Sequence, residues 1–87
     1  MTGYAFQIEG KTPGQEMRAS VEYALSWFWS RFHERPTVVY VHPETARRYS
    51  AVHGDWPGNW PRLVENDKMN RQMIVLEPSN GGQLRLL

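Results

Sequence analysis

Between Thr12 and His33 the apolar residues recur with the period of a helix. Met17, Val21, Ala24, Leu25, Phe28 and Phe32 fall within about a quarter of a helical wheel, which predicts one long amphipathic helix with that stripe on the core. Its ends are marked. Thr12 is placed to act as N-cap, with Gln15 at the third position of a capping box and Pro13 where a missing N–H costs nothing. Glu16 suits the positive end of the helix dipole, Arg31 and Arg35 suit the negative end, and Pro36 is read as the stop.

Elsewhere the pattern shortens to that of strands. Tyr4–Ile8 alternates ahead of Gly10. Thr37–Val41 is a continuous β-branched and aromatic run, as expected of a central strand. If these two pair, the unit is strand–helix–strand, with a right-handed crossover. Pro43 and Glu44 open a second, shorter helix reaching about Val52 and ended by Gly54, with Ala46, Tyr49 and Val52 inward and Arg47 and Arg48 outward. His53 to Pro61, with two Trp-Pro pairs, reads as loop. Arg62–Glu65 and Gln72–Leu76 read as strands, separated by a turn over 66–70. Pro78–Gly82 reads as a hairpin turn around Asn80-Gly81, and Gln83–Leu87 as a closing edge strand. The fold class is α/β in the broad sense (α+β): a small mixed sheet of three to five strands with one long and one short helix, in the order βαβα(β)ββ, forming a single domain over 1–87.

Composition narrows the function classes. A chain of 87 residues buries little more than ~60% of its unfolded surface, so its core is thin. With no cysteine, it has no disulfide, thiolate metal site or thiol nucleophile. Four Trp, four Tyr and three Phe supply the large buriable area such a core needs. The net charge of +1 leaves no electrostatic footprint for nucleic acid. No apolar run approaches the ~18 residues of a membrane span. The first residues lack the basic and apolar regions of a secretory signal, so a cytoplasmic protein is expected.

Three groups of residues are candidates for chemistry. His42, His53 and Asp55 are the one imidazole–carboxylate set, able to offer a divalent metal two nitrogens and an oxygen, or to act as a base with its orienting carboxylate. Their spacing matches no motif and no nucleophile accompanies them; histidines at element ends more often cap helices. Trp56 and Trp60 could make a platform for sugars or single-stranded bases, or fold back as a lid over the core edge. Tyr23, Trp27 and Trp29 lie on the flanks of the long helix and nearly opposite its stripe, with Tyr23 and Trp27 one turn apart and Arg31 near the C-terminal end. One sheet cannot shelter them all; the short helix, the Trp-Pro loop, or a partner must cover them, and Trp, Tyr and Arg are the types that dominate binding hot spots. Arg47, Arg48, Arg62, Lys68 and Arg71 are interleaved with acids and read as a solvated face. Neither a phosphate-binding glycine loop nor a nucleophile elbow is present. The expectation is a protein-binding module without catalytic residues, cofactor or metal. Its partner is another protein or a second copy of itself, and its contacts come from Tyr23, Trp27, Trp29, Arg31, Trp56 and Trp60.

Overall fold

The computed structural model describes residues 3–10 and 13–78, with the side-chain surroundings of the long helix given from residue 16 onward. The described chain runs β1 (Tyr4–Gln7), α1 (Pro13–Phe32), β2 (Pro36–Val41), α2 (Pro43–His53), β3 (Arg62–Glu65) and β4 (Met73–Pro78). It is an α+β arrangement, with a four-stranded mixed sheet in the order β1-β4-β2-β3.

The apolar stripe of α1 is the core face. Met17, Val21, Ala24 and Phe28 are fully buried, and Leu25 and Phe32 pack against them. The helix stops earlier than Pro36 implies. His33 takes φ 54, a left-handed conformation that histidine tolerates better than most residues, and its N–H still reaches the carbonyl of Trp29 at 2.8 Å. Pro36 instead begins β2, where the first residue of a strand can lack a donor. The expected capping box falls on Thr12 and the side chain of Gln15, which lie outside what is described.

β1 and β2 do not pair with each other. β4 stands between them, antiparallel to both, with Phe6 opposite Ile74 and Val39 opposite Leu76. A twenty-residue helix spans about 30 Å, so its connection easily crosses the ~10 Å of two strand spacings. The parallel pair is β2 with β3, joined through α2. Alternation along the strands turns Tyr4, Phe6, Val39, Val41, Leu63, Ile74 and Leu76 toward the helices. Ala5, Tyr40, Val64 and Val75 point to the other face, where the Tyr40 hydroxyl donates to Glu77 Oε1 at 3.2 Å. Pro78, expected to open a turn, is instead the last residue of β4; the remainder of the expected hairpin and the Gln83–Leu87 strand lie outside the described residues.

α2 is fixed at both ends. His42 is its N-cap, Nδ1 accepting the Glu44 N–H at 3.0 Å. Gly54 closes it at φ 80, ψ −143, its N–H reaching the carbonyl of Ser50. Thr45, Ala46 and Tyr49 are buried, but Val52 is 53% exposed and not part of the inward face. His53 takes that place: it lies about 40° from Tyr49 around the helix, within the buried arc, while Val52 lies about 60° to the other side. Its ring is 4.8 Å from that of Tyr49. Two contacts tie the start of α2 to the turn before β4. Thr45 Oγ1 donates to the Arg71 carbonyl at 2.9 Å, and Arg71 Nε donates to Glu44 Oε1 at 2.7 Å.

Candidate interaction surface

The aromatic rings on the helix side of the sheet sort into two clusters and two residues left over. The first cluster lies between β1 and the C-terminal half of α1. Alternation in β1 sends Tyr4 and Phe6 to the same side. Tyr4 meets Trp27, Phe28 and Phe32 at centroid distances of 5.8, 5.7 and 5.2 Å, and Phe6 meets Trp27 edge-on at 5.2 Å. Trp27 is therefore half-buried, and its cover is β1 rather than the short helix or the Trp-Pro loop. Arg31 lays its guanidinium 5.8 Å from the Trp27 ring centroid, closing the outer side of that cluster.

The second cluster is centred on Tyr49, which is 1% exposed. Trp56 and Trp60 are 5.4 and 6.4 Å from it and 4.8 Å from each other. Trp56 Nε1 donates to the carbonyl of Pro61 at 2.7 Å, satisfying the one polar group of the indole. From α1, Arg18 sits 5.4 Å from the Trp60 ring and donates to the Tyr49 hydroxyl at 3.4 Å. The Trp-Pro loop is thus folded over the junction of α1 and α2. A half-open depression of about 470 Å³ runs beside it, lined by Arg47, Ser50, Asp55, Trp56 and Glu65.

Tyr23 and Trp29 remain, 65% and 55% exposed. Tyr23 touches Phe6 at 6.3 Å and Trp29 touches His33 at 6.1 Å, each edge-on. Six residues apart, they stand about 120° from each other around the helix axis. Between them run Ala19, Glu22, Ser26 and Ser30, all exposed and, apart from Glu22, small. A depression of about 420 Å³ lies beside Tyr23, against Phe6, Glu16 and Ala19. Another of about 340 Å³ lies beside Trp29, against Leu25, Ser26, Arg35 and Pro36. Arg35 is held there by donating to the Asn59 carbonyl at 3.1 Å.

His42, His53 and Asp55 are not brought together. His42 and His53 occupy opposite ends of the eleven-residue α2, about 16 Å apart at 1.5 Å per residue. His42 is used as a cap, His53 packs on Tyr49, and Asp55 is exposed on the loop. Among the described residues no three histidine or acidic side chains are placed to hold a metal ion. Of the five basic residues of the expected solvated face, Arg48 and Arg71 meet on one acid. Glu44 binds Arg71 at 2.7 Å and Arg48 at 3.3 Å, and these two guanidinium groups hold its carboxyl below the ordinary value of 4.5. On the far face of the sheet, desolvation and the neighbouring Glu77 carboxylate push the Tyr40 hydroxyl above its ordinary value of 10.0.

Sequence reasoning missed the roles of Tyr4, Phe6 and Arg18. The alternation that places Tyr4 and Phe6 on one side of a strand was readable; the ring they would meet depends on the position of β1 in the sheet. No described helix is long and apolar enough to cross a membrane. The chain matches no protein-family model, and comparison with curated proteins and with solved structures finds no match.

Proposed function

We propose that this chain is a non-catalytic protein-interaction module whose contact surface is the solvent side of α1, anchored by Tyr23 and Trp29. Its partner is a protein, and self-association is the simplest form. The observation that carries this reading is the exposure of those two rings, 65% and 55%, on a helix whose other aromatics are covered from within the chain. Large aromatics on a surface cost solubility and contribute most where a partner desolvates them. Each lies beside a depression able to receive a side chain from the other surface. Trp27, Trp56 and Trp60 serve this surface indirectly: they fix α1 against β1 and α2, and Arg31 shields Trp27.

Sedimentation equilibrium from about 10 μM to about 1 mM covers the affinities expected of a modest interface. Mass rising with concentration, and lost in the Tyr23→Ala/Trp29→Ala double variant, supports the reading. A mass that stays monomeric over that range removes self-association, and an association untouched by the double variant places the contact elsewhere.

A further inference from the structure

From the spacing of residues on the solvent side of α1 we infer that two copies of this chain pair their α1 helices antiparallel, with the two-fold axis at Ser26. The inference rests on the surface proposed above and names its occupant. Tyr23 and Trp29 are each three residues from Ser26, one before and one after. In an antiparallel pair about a dyad at Ser26, every position meets the one equally far on the other side, so Tyr23 of one copy lies level with Trp29 of the other. Ser26 stands on the axis, where a small side chain allows close approach, and Ala19 and Ser30 continue that small-residue strip. The two-fold keeps like rings on the same side, so the two Tyr23 rings flank one edge of the contact and the two Trp29 rings the other. Each is sheltered against the partner helix, around a centre of small residues with Glu22 at its margin.

Charge selects the antiparallel direction. Near the start of α1, Glu9, Glu16 and Glu22 outnumber Lys11 and Arg18, and Arg18 is itself engaged by Glu22 at 3.5 Å. At the far end, Arg31 and Arg35 outnumber Glu34. An antiparallel pair sets the acidic end of one copy beside the basic end of the other and opposes the helix dipoles; a parallel pair stacks like on like. Arg35 lines the depression with Leu25, Ser26 and Trp29, the level that faces the second copy's Tyr23 turn and its neighbouring Glu22. The helix contact itself is about 30 Å long and ~10 Å wide, smaller than a standard interface, so the flanking depressions must contribute and the pair is weak.

The absence of cysteine makes the geometry testable by single substitutions at exposed serines. Helix axes 8–10 Å apart bring facing backbones at the dyad to roughly the 4.4–6.8 Å that a disulfide spans. Ser26→Cys therefore crosslinks to its own copy under a mild oxidant. Ser30→Cys does not, because its equivalent lies eight residues, about 12 Å, along the partner helix. Under the inference, at conditions where the unmodified chain associates, the covalent dimer forms at least about tenfold faster for Ser26→Cys than for Ser30→Cys, a separation set by the disulfide distance limit. Equal crosslinking of both indicates a parallel pair and overturns the inference. A chain that associates while Ser26→Cys stays unlinked moves the axis elsewhere and leaves the proposed function standing. A strict monomer with no crosslink from either variant removes both.

Discussion

Truncating Tyr49 tests whether the Trp-Pro loop is a lid or a platform. Its side chain is 1% exposed and is the surface on which Trp56, Trp60 and His53 rest. A buried tyrosine removes at least ~150 Å² from water, which at ~25 cal/mol/Å² is worth about 4 kcal/mol. Aromatic-to-alanine changes in cores cost about 3–5 kcal/mol. An 87-residue chain is held by only about 4–13 kcal/mol in total, at 0.05–0.15 kcal/mol per residue. Tyr49→Ala thus removes a third or more of the stability. Tyr49→Phe keeps the ring and loses only the hydrogen bond from Arg18, which at 3.4 Å is long and worth under about 1 kcal/mol. Urea titration followed by tryptophan fluorescence reads both effects, and thermal midpoints should fall by about 4–8 °C per kcal/mol. The native Tyr49→Ala baseline should also shift to longer wavelength as Trp56 and Trp60 lose their support. If Tyr49→Phe costs as much as Tyr49→Ala, the energy lies in the hydroxyl and the ring-packing account fails. If Tyr49→Ala stays within about 1 kcal/mol of the parent, the indoles do not depend on this ring, and the loop is free to act as a platform.

The other expectations are shorter. Trp27→Ala, losing contacts to Tyr4, Phe6, Phe28 and Phe32, should cost about 2–4 kcal/mol, while Trp29→Ala should cost under about 1 kcal/mol; similar urea midpoints for the two would contradict the assignment of Trp29 to a solvent face. Gly54→Ala places a Cβ at φ 80 and should cost about 1–3 kcal/mol, whereas Gly58→Ala, with open space around the added carbon, should stay within about 0.5 kcal/mol of the parent. Glu44 has its carboxyl pKa lowered first by the Arg71 hydrogen bond and then by Arg48. Its stabilisation is therefore present above the unfolded value of 4.5 and is lost as pH falls through the lower folded value. Chemical denaturation from pH 7 to pH 3 should show that part of the acid loss absent in Glu44→Gln, and an unchanged pH slope would refute it.

Local signals carried most of the fold. The α1 stripe, the β-branched run of β2, the proline start and glycine end of α2 and the short β3 each rest on nearby residues, and each was legible. What failed depended on partners far along the chain. Val52 and His53 lie on opposite sides of Tyr49 on α2, and which side of the arc is covered depends on how α1 packs against that helix. β4 separates β1 from β2 because Ile74 and Leu76 complete the row begun by Phe6 and Val39, a pairing across nearly the whole chain. The histidines were separable in principle, since a helix between His42 and His53 already holds them apart. The surplus of rings on α1 was visible, but the division between sheltered Trp27 and open Trp29 was not, because the edge strand that shelters one is fixed by β4.

Element lengths explain which rings were left over. α1 has twenty residues and α2 eleven, about 30 Å against about 16 Å, so α2 covers roughly half of one α1 flank. The covered half is the first: Arg18 reaches both Tyr49 and Trp60. Trp29 lies eleven residues further, about 16 Å along the axis, beyond that cover. On the other flank β1 has four residues, about 13 Å at strand rise; Tyr4 occupies the Trp27–Phe32 stretch, and Phe6 reaches Tyr23 only with its edge. Polar side chains at 23 and 29 would satisfy this fold as well, and a lysine or glutamate there would favour both helix and solubility. The fold therefore does not require the phenol and the indole at the places where its own elements run out, which is why their purpose is sought in a second surface.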